Sequence, residues 1–214
     1  DKKGKWVEWF KDATPKNITI SKNACGEYWC SILFEKNQDI FQTINMSKTT
    51  GLDFSPNYLY INDLGEPAPN FRKAKQKNKK KLTKLQRRLV RKQKDSKNRE
   101  KARIKLARFE NHIANIRRDY REKETLRLVQ ENDIVGIEDL NIQAMEKCSH
   151  NAKNYIDTSW YIFTTRLEQK AKFHNCLVIK SDRFYPSSKT CNHCGYINKD
   201  LKLRDRTWVC PQCG

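Results

Sequence analysis

Four cysteines near the end of the chain have the spacing of a metal site. They form two C-x-x-C pairs, Cys191 with Cys194 and Cys210 with Cys213, separated by 15 residues. Two such turns can present four thiolates, which is the ligand set of many tetrahedral structural zinc sites. Four thiolates leave no coordination position open for water, so we predict a structural zinc ion. The alternatives are two disulfides or four free thiols.

Two carboxylates are candidates for a second kind of metal chemistry. Asp53 lies in a predicted strand, and Glu138 ends a later apolar segment, residues 133–138, that is typical of a buried parallel strand. Open α/β sheets place their sites at the carboxyl ends of strands. Carboxylates from adjacent strands could hold two magnesium ions and support phosphodiester hydrolysis. Taken singly, each residue fits a structural role as well.

The remaining chemically active side chains are assigned structural roles. We expect Asp139 to cap the turn that follows it and Asp182 to pair with Arg183. The histidines share no metal-ligand spacing, and the cysteines outside the two pairs are expected to be free thiols. These residues are His112, His150, His174, His193, Cys25, Cys30, Cys148 and Cys176.

Positive charge is concentrated in one quarter of the chain. Residues 71–127 hold 24 lysines and arginines against six acids, which is +18 of the net charge of +19. A face with so few acids indicates a nucleic-acid partner, although a charged helix face can also be merely solvated. The residues predicted to contact phosphates are Lys79, Lys80, Lys84, Arg87, Arg88, Arg91 and Arg99. No segment is apolar enough to span a bilayer and no signal-peptide pattern is present, so we expect a cytoplasmic protein without a membrane partner.

Hairpins and helices must position these groups. Residues 17–21 and 28–35 predict a β-hairpin, with another strand suggested around residues 6–10, and residues 50–54 and 58–61 predict a second hairpin. After Pro67 and Pro69, apolar residues recur at helical spacing in two runs, which predicts a helical hairpin. The runs are Leu82, Leu85 and Leu89, then Ala102, Leu106, Phe109, Ile113, Ile116 and Tyr120.

The second half of the chain has the pattern of a βαβ unit. Residues 133–138 form its first strand and residues 177–180 its second. The helix between them is predicted to begin near residues 157–159, where Asp157 and Ser159 are good N-caps. Its apolar face consists of Trp160, Phe163, Leu167 and Ala171.

Five segments in combination resemble the TnpB family of transposon-encoded, RNA-guided DNA nucleases. They are GLDFS at 51–55, KLQRRL at 84–89, SKNREKAR at 96–103, VGIEDLN at 135–141 and FYPSSKTC at 184–191. The resemblance implies an α/β fold: a RuvC-like, RNase H-fold mixed sheet with a helical insertion, a zinc ribbon and part of an N-terminal β-barrel. We therefore expect a wedge or OB-like β domain at 1–48, the nuclease domain at 49–184 with its basic helical insertion at 71–127, and the ribbon at 185–214.

The resemblance also implies the site and the partners. Asp53 and Glu138 would be catalytic magnesium ligands, and guide RNA and target DNA would be the partners. The family has a third aspartate beyond the zinc ribbon, so we expect these 214 residues to be inactive alone. Two other functions remain open, a non-cleaving RNA-guided repressor and a plain zinc-ribbon DNA-binding protein, and the sequence does not indicate an oligomeric state.

Overall fold

The computed structural model describes residues 12–35, 47–141, 145, 158–202, 205 and 207–214. The elements in chain order are β1 (Thr14–Lys22), β2 (Tyr28–Glu35), β3 (Thr49–Ser55), β4 (Leu59–Asn62), α1 (Ala74–Lys77), α2 (Lys79–Val90), α3 (Lys97–Glu131), β5 (Ile134–Glu138), α4 (Trp160–Ala171), β6 (Leu177–Ser181) and a 3-10 turn (Ser187–Lys189).

A mixed four-stranded sheet carries the main core. Its strand order is β4-β3-β5-β6, with β4 antiparallel to β3 and the other two pairings parallel. Helix α4 connects the parallel neighbours β5 and β6, which confirms the predicted βαβ unit. The sheet and the surrounding helices therefore have the α/β architecture expected from the sequence.

Helix α4 covers the sheet with the apolar face that the sequence predicts. Trp160, Phe163, Leu167 and Ala171 are all buried, and they pack with Leu52, Val135 and Ile137 of the central strands. Ser159 is the N-cap residue, as expected. Its side chain makes no capping hydrogen bond, because its backbone is left-handed with φ of 51°. Asp157 lies outside the described residues.

Helix α3 belongs to two cores. Near its middle, Phe109 and Ile113 pack against Leu85 of α2, which is the predicted helical hairpin. Near its end, Leu128 and Val129 join the core beneath the sheet. One residue of the predicted apolar runs does not join this core, because the side chain of Ile116 is 37% exposed.

A buried polar network fixes the end of α3 to the sheet. The hydroxyl of Tyr60 in β4 donates to a carboxylate oxygen of buried Glu124, and Arg127 donates to the same Glu124 oxygen at 2.7 Å. Burial is the main cause that raises the pKa of Tyr60, so the hydroxyl keeps its proton. A buried carboxylate needs such partners, since an unpaired buried charge is strongly destabilising.

The first hairpin forms a separate two-stranded sheet from β1 and β2, as the sequence predicts. Its turn reaches α3, where Arg103 Nη1 donates to the carbonyl oxygen of Ala24 at 3.3 Å. The strand suggested around residues 6–10 lies outside the described residues. The described part of the expected β-barrel domain is thus one hairpin. None of the helices in the described ranges has the length and apolar character needed to cross a membrane.

Candidate active site and metal centre

Asp53 and Glu138 occupy adjacent positions on neighbouring parallel strands. The ladder between β3 and β5 pairs Leu52 with Ile137, and both of these side chains are buried in the core. Because successive side chains of a strand point to opposite faces, the next residue of each strand points away from that core. The side chains of Asp53 and Glu138 consequently meet in hydrogen-bonding contact.

The carboxyl of Glu138 is perturbed by its surroundings. Burial is the largest cause that raises the pKa of Glu138, the charge of Asp53 is the second, and a hydrogen bond from Ser187 opposes both. Ser187 Oγ donates to Glu138 Oε1 at 3.1 Å. Two carboxylates this close need a shared proton or a cation to compensate their charge. Their oxygens are the ligand type that magnesium prefers, so the pair fits such an ion.

An open groove of about 550 Å³ surrounds the pair. Its lining also includes Asn62, Asp63, Ser187 and Asn192. Asn192 lies between the first two cysteines of the predicted zinc site, so the ribbon segment forms part of the groove wall. Helical or strand periodicity in the sequence could not identify these residues as part of the groove, because Asn62 ends the short strand β4 and the other three lie in turns between elements.

Arg183 has a different partner from the one predicted. Its Nη2 atom pairs with the Asp139 carboxylate at 2.8 Å, whereas Asp182 Oδ1 accepts from the backbone N–H of Phe184 at 2.8 Å. The predicted Asp182–Arg183 pair is therefore wrong. The Asp182 carboxylate accepts a hydrogen bond from the backbone of its own turn. Arg183 pairs instead with Asp139, the residue that follows Glu138.

The four predicted cysteine ligands converge. The Sγ atoms of Cys191, Cys194, Cys210 and Cys213 all lie within 4.8 Å of one another, and each cysteine is a free thiol. Backbone N–H groups of Cys194 and then His193 lower the pKa of Cys191 to about 6. Neighbouring thiols, Cys194 first, raise the pKa of Cys213. Sulfur ligands at this spacing could bind zinc, which would compensate the charge of the thiolates.

The predicted phosphate contacts lie mainly on one face of α2. A groove of about 820 Å³ is lined by Lys79, Lys80, Thr83, Lys84, Arg87, Arg88, Arg91 and Lys92. It gathers six of the seven predicted residues. Arg99 is placed elsewhere: its Nη1 donates to the Lys92 carbonyl oxygen at 3.1 Å, so it closes the turn between α2 and α3. The role of all seven in binding stays a prediction.

Comparison with known proteins gives matches over most of the chain. The family model described as "Probable transposase" matches residues 32–149, and a model described as "Cas12f1-like, TNB domain" matches residues 160–214. A protein of Streptomyces pristinaespiralis named "Putative RNA-guided DNA endonuclease" is 34% identical over 94% of this chain and 49% of its own length. "Putative RNA-guided DNA endonuclease InsQ" of Escherichia coli K12 is 31% identical over 91% of this chain and 51% of its own length.

A solved structure shares the fold. The cryo-EM structure of the Cas12f1-sgRNA-target DNA complex contains a chain that aligns with a TM-score of 0.60 and 13% sequence identity. The alignment covers 100% of this chain and 48% of that one. The 214 residues thus span about half the length of the curated relatives and of this structural neighbour.

Replacing Glu138 by glutamine should stabilise the magnesium-free protein at neutral pH. The raised pKa of Glu138 means that folding favours its protonated form, so its ionisation removes stability as the pH rises from about 4.5 through the raised value. Glutamine never ionises. The free energy of unfolding in urea should therefore exceed that of the wild type at neutral pH, and the difference should vanish below about pH 4. The same change at exposed Glu110 is the control, and an equal gain there would contradict this explanation.

Cys194→Ser should remove zinc, since serine cannot supply the fourth thiolate. We expect about one zinc ion per chain in the wild type and a loss of most of it in the variant, measured by mass spectrometry of the metal after dialysis. Cys30→Ser changes an exposed free cysteine in β2 and should keep full zinc content. Equal zinc content in the two variants would refute the four-cysteine site.

Proposed function

Since the chain belongs to the TnpB family, whose model is described as a probable transposase, we propose that the whole protein is an RNA-guided DNA endonuclease with a magnesium-dependent, RuvC-like site. The observation that carries the proposal is the contact between Asp53 and Glu138 on adjacent parallel strands, within an open groove. The names of the two matched relatives support the same activity and its guide RNA.

Asp53 and Glu138 would hold the magnesium ions through their carboxylate oxygens. Magnesium bound there would supply activation of water and stabilisation of the leaving oxygen of a phosphodiester. The chain's own contribution is to hold two anionic groups side by side on a rigid sheet, facing a groove that is open to an extended polymer. Core residues Leu52 and Ile137 lie directly behind the pair and fix both strands.

We propose that a third carboxylate completes this site. Two carboxylates compensate only part of the charge of two divalent cations, and the TnpB resemblance implies a further aspartate after the zinc ribbon. Residues 1–214 alone would then bind nucleic acid without cutting it. The zinc ion has a structural role in this proposal, because four thiolates leave it no open coordination position.

The basic face of α2 would hold the nucleic-acid backbone. Lysine and arginine contacts to phosphates position a duplex without reading its sequence. Base pairing between the guide RNA and the target DNA would supply the sequence specificity, while the protein recognises the shape of the heteroduplex. We propose the bacterial cytoplasm as its compartment, because guide RNA and target DNA are both present there.

Asp53→Asn in the whole protein should abolish guided cleavage and retain binding. The variant removes the charge of one ligand, so we expect the cleavage rate to fall by more than about 100-fold, the upper range for outer-shell partners of a metal. DNA affinity should stay unchanged in a filter-binding assay. Asp95→Asn is the control, since Asp95 is an exposed acid in the turn before α3. Cutting by Asp53→Asn at the wild-type rate would overturn the nuclease site, and a wild type that binds without cutting would indicate a repressor.

Arg88→Gln should weaken binding and reduce its salt dependence. Each phosphate contact contributes about 0.9 to the slope of log affinity against log salt, so losing one contact should lower that slope by about that amount. Arg103→Gln is a matched control, since Arg103 pairs with Glu100 at 2.7 Å on α3. Identical slopes for Arg88→Gln and the wild type would mean that this face is only solvated.

A further inference from the structure

Ser187 reaches a catalytic candidate from a different part of the chain. Its hydroxyl donates to Glu138 Oε1 at 3.1 Å, although 49 residues separate the two positions. Ser187 lies in the 3-10 turn Ser187–Lys189, which connects β6 to the first cysteine pair. The turn lies at the start of the ribbon segment 185–214 and therefore links the groove of Glu138 with the four-cysteine part of the ribbon.

The segment around this turn, residues 182–190, is anchored at both ends. Its beginning is held by the ion pair between Arg183 and Asp139, the residue directly after Glu138. Its end is held by later residues of the ribbon, where Trp208 Nε1 donates to the Ser188 carbonyl oxygen at 3.3 Å and Ile197 forms a β-bridge with Thr190. Ser187 lies between these anchors, so its position depends on both.

Glu138 needs an external restraint to be an effective ligand. A glutamate side chain has three rotatable torsions, so ordering it costs conformational entropy. The neighbouring charge of Asp53 also favours conformers in which the two carboxylates lie apart. A hydroxyl donor on Oε1 opposes both effects, and it leaves Oε2 unengaged by Ser187.

We propose that Ser187 is a positioning residue for Glu138 and that the zinc ribbon holds Ser187 in place through Trp208. The ribbon then sets the geometry of the carboxylate pair in addition to stabilising its own fold. This inference rests on the proposed metal-dependent function of Asp53 and Glu138. It assigns Ser187 no contact with the reacting atoms.

Manganese affinity of the whole protein tests the role of Ser187 without using cleavage. Mn²⁺ binding is followed by electron paramagnetic resonance in the absence of nucleic acid. Ser187→Ala should weaken the affinity about 10-fold, as loss of an outer-shell hydrogen bond commonly does. Ser187→Thr keeps the hydroxyl and should restore most of it. Ser188→Ala removes a neighbouring hydroxyl while the backbone carbonyl that accepts from Trp208 stays, so it should leave the affinity unchanged.

Trp208→Phe tests the contribution of the ribbon. Phenylalanine keeps an aromatic ring next to Tyr196 but lacks the donor to Ser188, and no zinc ligand is altered. We expect Mn²⁺ affinity to fall about 3-fold with zinc content unchanged, as for the loss of one neutral hydrogen bond. Combined with Ser187→Ala, the change should have no further effect, since both act through the same hydroxyl.

The outcomes separate this inference from the proposed function. Wild-type Mn²⁺ affinity in Ser187→Ala, or fully additive effects of Trp208→Phe and Ser187→Ala, would overturn the positioning role. In either case Asp53→Asn would still weaken Mn²⁺ binding and abolish cleavage if the nuclease site is correct. Unchanged binding and cutting in Asp53→Asn would instead refute the proposed function itself.

Discussion

The repulsion between Asp53 and Glu138 is the constraint on which the rest of the structure depends. Two carboxylates do not stay in contact unless the surrounding fold holds them there or a cation compensates them. The parallel ladder of β3 and β5 fixes their backbones, and the buried partners Leu52 and Ile137 keep that register. A slip of one residue would turn these apolar side chains to the groove and the acids into the core, so the hydrophobic pattern enforces the unfavourable contact.

Helix α3 connects the sheet that carries Asp53 and Glu138 to the basic helix α2. Its 35 residues run from the pairing with α2 to the core beneath the sheet. The network of Tyr60, Glu124 and Arg127 fixes its end against β4 by polar contacts, which are more direction-dependent than apolar packing. The basic face of α2 is consequently attached through α3 to the sheet that carries the carboxylates, as the proposed binding of nucleic acid would require.

The sequence predicts the structure correctly where a regular spacing of residues determines which side chains are buried or converge. Trp160, Phe163 and Leu167 could be assigned to the core from helical spacing, and the cysteine pairs from their motif. Prediction from the sequence failed for Arg183, because a long side chain can reach several acids and the fold places Asp139 within its reach. Ser187 was missed for a related reason: one hydroxyl carries no pattern, and its contact depends on how β6, the turn and the ribbon pack together.

Charge also relates the proposed magnesium site to the basic face of α2. In the proposed function, a phosphodiester that approaches Asp53 and Glu138 would add negative charge next to two acids, so divalent cations would have to bind before catalysis. The basic residues of α2 line a groove of their own, so in the proposed function they would compensate the polymer without neutralising the carboxylates. The proposed nuclease thus needs positive charge of two kinds. Divalent ions would bind at Asp53 and Glu138, and lysine and arginine side chains would bind along the phosphate backbone of the nucleic acid. If lysine or arginine side chains formed salt bridges with Asp53 and Glu138, the two carboxylates could no longer bind metal.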